Sequence, residues 1–162
     1  MASLLHVAVG IAAARLYLGR RSLPGALAFA ALSMLPDADV VAFALDIPYS
    51  DPFGHRGASH SLVFAAGMGA LIGGLSRRLR LGLLVAVVVA SHPLLDALTD
   101  GGLGVALWWP QEETRVFAPW RPIPVAPIGA SFLSERGLKV MLAELLPSLP
   151  LLIYGLWPAQ KA

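Results

Sequence analysis

Five apolar segments account for most of this 162-residue chain. They are Leu4–Leu18, Leu23–Leu35, Ser59–Leu75, Leu79–Leu98 and Leu138–Trp157. Apolar residues make up 57% of the chain and charged residues 14%, whereas soluble domains have about 45–50% and about 25%. A helix needs roughly 20 apolar residues to cross the hydrocarbon core. The sequence therefore predicts an all-α, polytopic membrane bundle of about five helices, forming a single domain over residues 1–162.

Proline and glycine set the expected limits of these helices. Pro24 fits a first helical turn, and Pro36 favours a stop after a second segment that is short for a membrane span. Gly69 and Gly73 predict a helix-packing face. The stretch from Gly101 to Gly137 is rich in proline and tryptophan, as in WWP and APWRPIPVAP. We predict that it is irregular and interfacial, either a lid beside a functional site or a plain surface connection.

The four histidines lie only in polar patches at the ends of the apolar segments. The patches are His6, LPDAD, HRGASH and SHPLLDALTD. They stand at the start of segment one, the end of two, the start of three and the end of four. If successive helices alternate in direction, all of them meet on one side of the membrane. Imidazole and carboxylate are usual ligands of divalent metals, so this pattern predicts a metal site at a membrane surface.

Basic residues gather in the connections at the other end of the predicted bundle. They are Arg15, Arg20, Arg21, Arg77, Arg78, Arg80 and Lys161. Positive charge in short loops marks the cytoplasmic face, so we expect an integral plasma (inner) membrane protein with its site on the extracytoplasmic face. No cleavable signal peptide is expected. The net charge of +2 is too small to favour a nucleic-acid partner.

Two patches supply the clearest ligand spacing. His92 and Asp96 are four residues apart, so both face one side of a helix as a bidentate module; an ordinary hydrogen bond between them is the alternative. HRGASH places His55 and His60 around a turn into segment three, with Ser59 as the predicted helix cap. Solvated or hydrogen-bonded imidazoles are the alternative there.

Asp37 and Asp39 follow a helix C-terminus, where carboxylates oppose the helix dipole unless a cation offsets them. Asp37 is the predicted bridging or terminal ligand, and Asp39 is a second ligand or the partner of one; an Asx-type turn is the alternative. His6 is either a ligand or a satisfied polar contact within an apolar helix. Glu144 either orients a ligand imidazole or reaches toward water.

Arg56 and Arg121 are the candidate anion clamps, because guanidinium binds phosphate in a bidentate manner. Pairing with lipid headgroups is the alternative, particularly for Arg121. Asp39 and Asp100 are candidates for the general base or acid.

The residues His6, LPDAD, HRGASHSL and SHPLLDALTDGG resemble the YdjM-like family of membrane-bound metal-dependent hydrolases, over a likeness from His6 to Pro127. That family is distantly similar to the zinc-dependent phospholipase C superfamily, in which helices hold a metal cluster through HxxxD modules. His92 and Asp96 match one such module. The resemblance implies six metal ligands, which are His6, Asp37, His55, His60, His92 and Asp96. With one HxxxD module present, we expect one or two divalent ions, with zinc as the preferred metal.

The predicted function is hydrolysis of a phosphoester in a lipid or lipid-linked substrate drawn from the bilayer. A bound divalent metal lowers the pKa of its water to about 7, and Arg56 would stabilise charge on the phosphate. Two alternatives are proteins that are not hydrolases. An ion- or proton-coupled transport protein would distribute polar groups through the membrane depth. A non-catalytic membrane protein with a structural metal site would close the coordination shell.

Overall fold

A computed structural model describes residues 3–158 of the chain. In this part of the chain, five long helices and one single-turn helix occur, and no strand forms beyond two isolated β-bridges. The helices are α1 (Ser3–Leu18), α2 (Leu23–Met34), α3 (Val41–Ala44), α4 (Leu62–Ser76), α5 (Leu79–Ala97) and α6 (Glu135–Leu156). The predicted all-α fold class is confirmed. Lys161, one of the basic residues that predict the orientation of the chain, lies outside the described residues.

Three helical segments are long and apolar enough to cross a membrane: Leu23–Ala44, Leu79–Ala97 and Glu135–Leu156. The first of these corrects the expectation that segment two is short. The α-helix does end at Met34, before Pro36, but the chain continues as a 3-10 helix over Leu35–Val40 and then as α3. Pro36 is accommodated because it occupies the first turn of the 3-10 helix, where a backbone N–H is not needed. LPDAD therefore lies within the helical segment rather than beyond it.

The predicted cap of segment three is also wrong. Helix α4 begins at Leu62, and the hydroxyl of Ser61 accepts the capping hydrogen bond from the Phe64 N–H at 3.0 Å. Ser59 instead donates its hydroxyl hydrogen to Asp39, at 2.6 Å. His60 is therefore in a short 3-10 turn before the helix, not on its first turn.

Close approach between α4 and α5 confirms the predicted glycine packing face. A Cβ atom on Gly69 would lie 2.6 Å from both the Cβ of Ala86 and the carbonyl oxygen of Gly82. Gly73 packs against Gly82 in the same way, with 3.0 Å between its would-be Cβ and the Gly82 Cα. Helix α1 packs between α2 and α6 and also contacts α5. The bundle thus brings α1, α2, α4 and α5 together, which positions the polar patches.

The stretch between α5 and α6 is irregular, as predicted, apart from a short 3-10 helix over Gly129–Leu133. It packs against the polar end of the bundle, where the Ala106 N–H donates to the Arg56 carbonyl and the Leu62 N–H donates to the Leu107 carbonyl. Trp108 and Trp120 are exposed.

Candidate metal centre

Four fully or almost fully buried side chains converge where α2, α4 and α5 meet. They are Asp37, His60, His92 and Asp96, and one ligand atom from each lies within 4.8 Å of the others. Asp37 comes from the 3-10 helix after α2, His60 from the turn before α4, and the other two from the last turns of α5. The predicted convergence of patches that are distant in sequence is therefore present.

The distances between these atoms fit a shared cation better than they fit hydrogen bonds. His60 Nε2 lies 3.6 Å from Asp37 Oδ1 and 3.6 Å from Asp96 Oδ2, and His92 Nε2 lies 3.4 Å and 3.9 Å from the same two oxygens. Zinc holds nitrogen and oxygen ligands at about 2.0–2.2 Å, so the edges of a tetrahedron around it measure about 3.3–3.6 Å. Within the described residues, both Asp37 oxygens and both of these Nε2 atoms make no hydrogen bond.

Each imidazole is held so that its Nε2 faces the cluster. His92 Nδ1 lies 2.7 Å from the carbonyl oxygen of Ser33 on α2, to which it donates its hydrogen. His60 Nδ1 lies 2.9 Å from Asp39 Oδ2. A hydrogen on Nδ1 leaves the Nε2 lone pair for a metal, and such outer partners orient metal-binding histidines in general.

Asp39 acts as a hydrogen-bond hub at the edge of the cluster. Oδ1 accepts from His55 Nδ1 at 2.6 Å, and Oδ2 accepts from the Ser59 hydroxyl at 2.6 Å and from the Arg56 N–H at 3.0 Å, in addition to His60. Asp39, His55 and His60 could also be grouped as metal ligands. Their contacts of 2.6–2.9 Å are, however, those of charge-assisted hydrogen bonds. Asp39 is therefore placed to position two histidines.

Charge also favours a divalent cation at this place. Asp37, Asp39 and Asp96 carry three negative charges and Arg56, whose Nε lies 3.0 Å from Asp96 Oδ2, carries one positive charge. Among these four described side chains the carboxylates outnumber the guanidinium, in a site that is almost entirely buried and where net charge is costly. Burial lowers the pKa of His60, but the nearby carboxylates of Asp37, Asp39 and Asp96 outweigh it and raise that pKa to about 10. A divalent ion would neutralise the same carboxylates in place of that proton.

The structure places His6 beside the four-residue group. His6 Nε2 lies 3.6 Å from Asp96 Oδ1, and the rings of His6 and His92 have their centroids 3.8 Å apart. The His6 ring is fully buried, and neither of its nitrogens is hydrogen-bonded within the described residues. His6 is therefore available to a cation on the second side of Asp96.

A pocket of about 260 Å³ opens next to the cluster. Its lining includes Tyr49, His55, Arg56 and Arg136, and the 125–128 stretch of the irregular segment forms one wall. Arg56 is fully buried, and its Nη1 donates to the Thr99 hydroxyl at 3.2 Å and to the Gly101 carbonyl at 3.0 Å. Its Nη2 makes no hydrogen bond within the described residues. The pocket thus has a fixed guanidinium with donor capacity to spare, a few ångströms from the carboxylate of Asp96.

Three other predicted residues lie outside this arrangement. Asp100 is exposed and accepts a hydrogen bond from the Val125 N–H at 2.7 Å. Arg121 is exposed and stacks over the ring of Phe117, with 4.8 Å between guanidinium carbon and ring centroid. Glu144, buried on α6, accepts from the N–H groups of Leu4 and Leu5 at 2.7 Å and 3.2 Å, and so holds the start of α1 rather than an imidazole described here.

Arg115 was not found from the sequence. Its guanidinium donates to the carbonyl oxygens of Tyr49, Asp51 and His55, at 2.7–3.0 Å, and so ties the loop that carries His55 to the irregular segment. Because these acceptors are backbone atoms, no residue pattern marks them in advance.

Comparison with known proteins is consistent with this architecture. Residues 1–161 match a family described as YdjM inner membrane protein. The chain is also similar to inner membrane protein YbcI of Escherichia coli (strain K12), with 43% identity over an alignment of 138 residues that covers 80% of each chain. No solved structure matches the chain. Both names refer to a location in the inner membrane, and neither refers to a reaction.

Proposed function

The chain belongs to the YdjM inner membrane protein family, and we propose that it is a membrane-bound, metal-dependent hydrolase that cleaves a phosphoester of a lipid or lipid-linked substrate. The observation that carries this proposal is the set of buried ligand atoms on Asp37, His60, His92 and Asp96, spaced for one cation. Zinc suits this set of two nitrogen and two oxygen donors. His6 and Asp96 Oδ1 would contribute to a second ion, with Asp96 between the two.

A bound divalent ion would supply a water of lowered pKa and an electrophile for a phosphoryl oxygen. Arg56 would bind a second phosphoryl oxygen through Nη2, since two of its other nitrogens are already fixed by Asp96 and Gly101. A donor that is fixed before the reaction needs no reorganisation when charge develops on the phosphate. The adjoining pocket of about 260 Å³ would hold the headgroup.

His55 would exchange a proton with the substrate at Nε2. It lines the pocket, and its Nδ1 is bonded to Asp39 at 2.6 Å, which keeps the hydrogen on Nδ1 and leaves Nε2 as the acceptor. A carboxylate that orients an imidazole in this way is the usual arrangement for a general base. This role differs from the one that the family resemblance implies for His55, which is metal coordination.

One observation favours a second candidate function, a structural metal that ties the helices together. Four protein ligands complete a tetrahedral shell, whereas catalytic zinc sites usually have three and leave one position for water. The two functions differ in whether Asp96 keeps the fourth coordination position filled. Its Oδ2 also lies 3.0 Å from Arg56 Nε, so an Asp96 that binds the ion in the resting protein and turns to Arg56 when substrate enters would free one of the four positions.

The test compares metal content and turnover in the purified protein, the Asp96→Asn variant and the Asp46→Asn variant. Asp46 is exposed and belongs to neither group of candidate ligands, so it controls for the chemical change itself. Turnover is measured on a panel of phospholipids and a generic aryl phosphodiester. Wild type and Asp46→Asn are expected to contain about one or two metal ions and to be active, and Asp96→Asn is expected to lose both. Bound metal without turnover on the whole panel would favour the structural metal, and wild type without metal would refute both functions.

A further inference from the structure

A second pocket lies at the opposite end of the bundle, between α1, α2 and α6. Its volume is about 290 Å³. Its lining comes from the second half of α1, the connection to α2, the start of α2 and the end of α6. Arg15 follows His6 by nine residues on α1, which places it about 14 Å further along the helix axis. The pocket is therefore separate from the metal centre.

The polar lining of this pocket is almost entirely cationic. Arg15 Nη1 is buried and makes no hydrogen bond in the described part of the chain. Arg21 Nη1 has a long contact of 3.4 Å with the carbonyl oxygen of Leu156, at the end of α6. None of the ten acidic side chains of the protein lines the pocket. Within residues 3–158, the three guanidinium groups of Arg15, Arg20 and Arg21 thus face one cavity that no carboxylate side chain lines.

The start of α2 adds to this positive potential. Ser22 caps the helix by accepting from the Gly25 N–H at 3.2 Å, and Ser22 and Leu23 both line the pocket. The N-terminus of a helix carries a partial positive charge and favours anions. The remaining walls are apolar and come from Ile11, Ala14, Ala26 and Leu156.

From these features we infer that the pocket binds the phosphate group of an anionic ligand, and that the source of this group is the headgroup of an anionic phospholipid. Guanidinium binds phosphate through paired hydrogen bonds, and basic pockets between transmembrane helices are known to take anionic headgroups. The apolar walls suit the glycerol and the first acyl carbons. The inference stands apart from the proposed hydrolase, because the arginines belong to the other end of the bundle.

The test uses the full-length protein in a phosphatidylcholine bilayer that contains a minor fraction of phosphatidylglycerol. Native mass spectrometry counts the phosphatidylglycerol molecules that each protein retains, and calorimetry measures the binding of inorganic phosphate in a neutral detergent. The pocket variant is Arg20→Gln with Arg21→Gln. The matched control is Arg77→Gln with Arg78→Gln, which removes the same charge from the α4–α5 turn at the same end of the bundle. All four positions are exposed, so the changes spare the core, and thermal melting checks that both variants are folded.

Wild type and the control are expected to retain one phosphatidylglycerol, and the pocket variant is expected to bind it at least about tenfold more weakly. If inorganic phosphate binds with the same dependence on the variants and phosphatidylglycerol is not retained, the phosphate site stands and its source is soluble. Equal losses in both double variants would show diffuse surface attraction, and no loss in either would show no site. Each of these two results would overturn the inference.

Discussion

His60 shows at the scale of one residue how this site is built. Its Nδ1 is bonded to Asp39, and its Nε2 lies 3.6 Å from both Asp37 and Asp96. One ring nitrogen thus fixes the orientation of the imidazole, and the other is left for a cation. The same division occurs in His92, where the fixing partner is the Ser33 carbonyl. The rigid outer contacts explain why the inner atoms are preorganised.

Substitution of Asp39 should weaken metal binding without abolishing it. Asp39→Asn disturbs the hydrogen bonds that orient His55 and His60, so we expect metal affinity to fall about 10–100-fold. Asp37→Asn removes a ligand and should cost more. Competition with a chromophoric chelator measures both affinities. If Asp39→Asn lost as much affinity as Asp37→Asn, Asp39 would itself be a ligand.

Substitution of Arg56 should separate metal binding from turnover. Arg56→Gln removes a cation that lies 3.0 Å from Asp96, so metal affinity should stay the same or rise. Turnover on the active member of the phosphoester panel should fall about 10²–10³-fold, the usual effect of losing one oxyanion donor. Metal titration and initial rates check the two halves of this prediction. A parallel fall in both would mean that Arg56 mainly supports Asp96.

At the scale of the helices, the site depends on how closely they pack. Asp37, His60 and His92 come from three different helical segments. Asp37 follows α2, His60 precedes α4, and His92 lies near the C-terminal end of α5. The contact of α4 with α5 depends on glycine, because a Cβ on Gly69 would meet the Gly82 carbonyl at 2.6 Å. On the same helix, a Cβ on Gly67 would meet no atom within 4 Å.

These two glycines allow a matched comparison. Gly69→Ala should destabilise the protein by about 1–3 kcal/mol through overpacking. Gly67→Ala should be neutral or stabilise it by up to about 1 kcal/mol, because alanine is the better helix former. Unfolding in mixed micelles with increasing dodecyl sulfate measures both free energies. Equal effects of the two substitutions would contradict the close α4–α5 contact.

Much of this arrangement could be predicted from the sequence, for physical reasons that can be named. The spacing of His92 and Asp96 fixed their common helix face, and alternating helix direction placed LPDAD and HRGASH at the same end. Other features could not be predicted. The hydroxyl of Ser59 donates to Asp39 and does not cap the helix, and Asp100 accepts a hydrogen bond from the Val125 N–H. Both depend on which polar groups the tertiary fold brings within reach of these side chains.

At the scale of the whole molecule, charge is distributed unevenly between the two ends. Arg15, Arg20, Arg21, Arg77, Arg78 and Arg80 lie at one end, and the buried carboxylates lie at the other. In an inner membrane protein, short basic connections stay on the cytoplasmic side. The metal centre should therefore face away from the cytoplasm.

Labelling of single cysteines tests this orientation, and the chain offers a clean background because it contains no cysteine. A membrane-impermeant maleimide is applied to intact spheroplasts that express Trp120→Cys or Arg78→Cys. Trp120 is exposed in the irregular segment at the metal end, and Arg78 is exposed at the other end. We expect Trp120→Cys to be labelled at once and Arg78→Cys only after permeabilisation. The reverse pattern would place the site on the cytoplasmic side.

The central claim is that Asp37, His60, His92 and Asp96 hold one cation. Anomalous diffraction at the zinc edge, from crystals of the protein purified with zinc, tests it most directly. The account predicts an anomalous peak about 2.0–2.2 Å from His60 Nε2, His92 Nε2 and a carboxylate oxygen of Asp37. A zinc-loaded crystal whose strongest peak lies elsewhere, with these side chains hydrogen-bonded to one another instead, would contradict it.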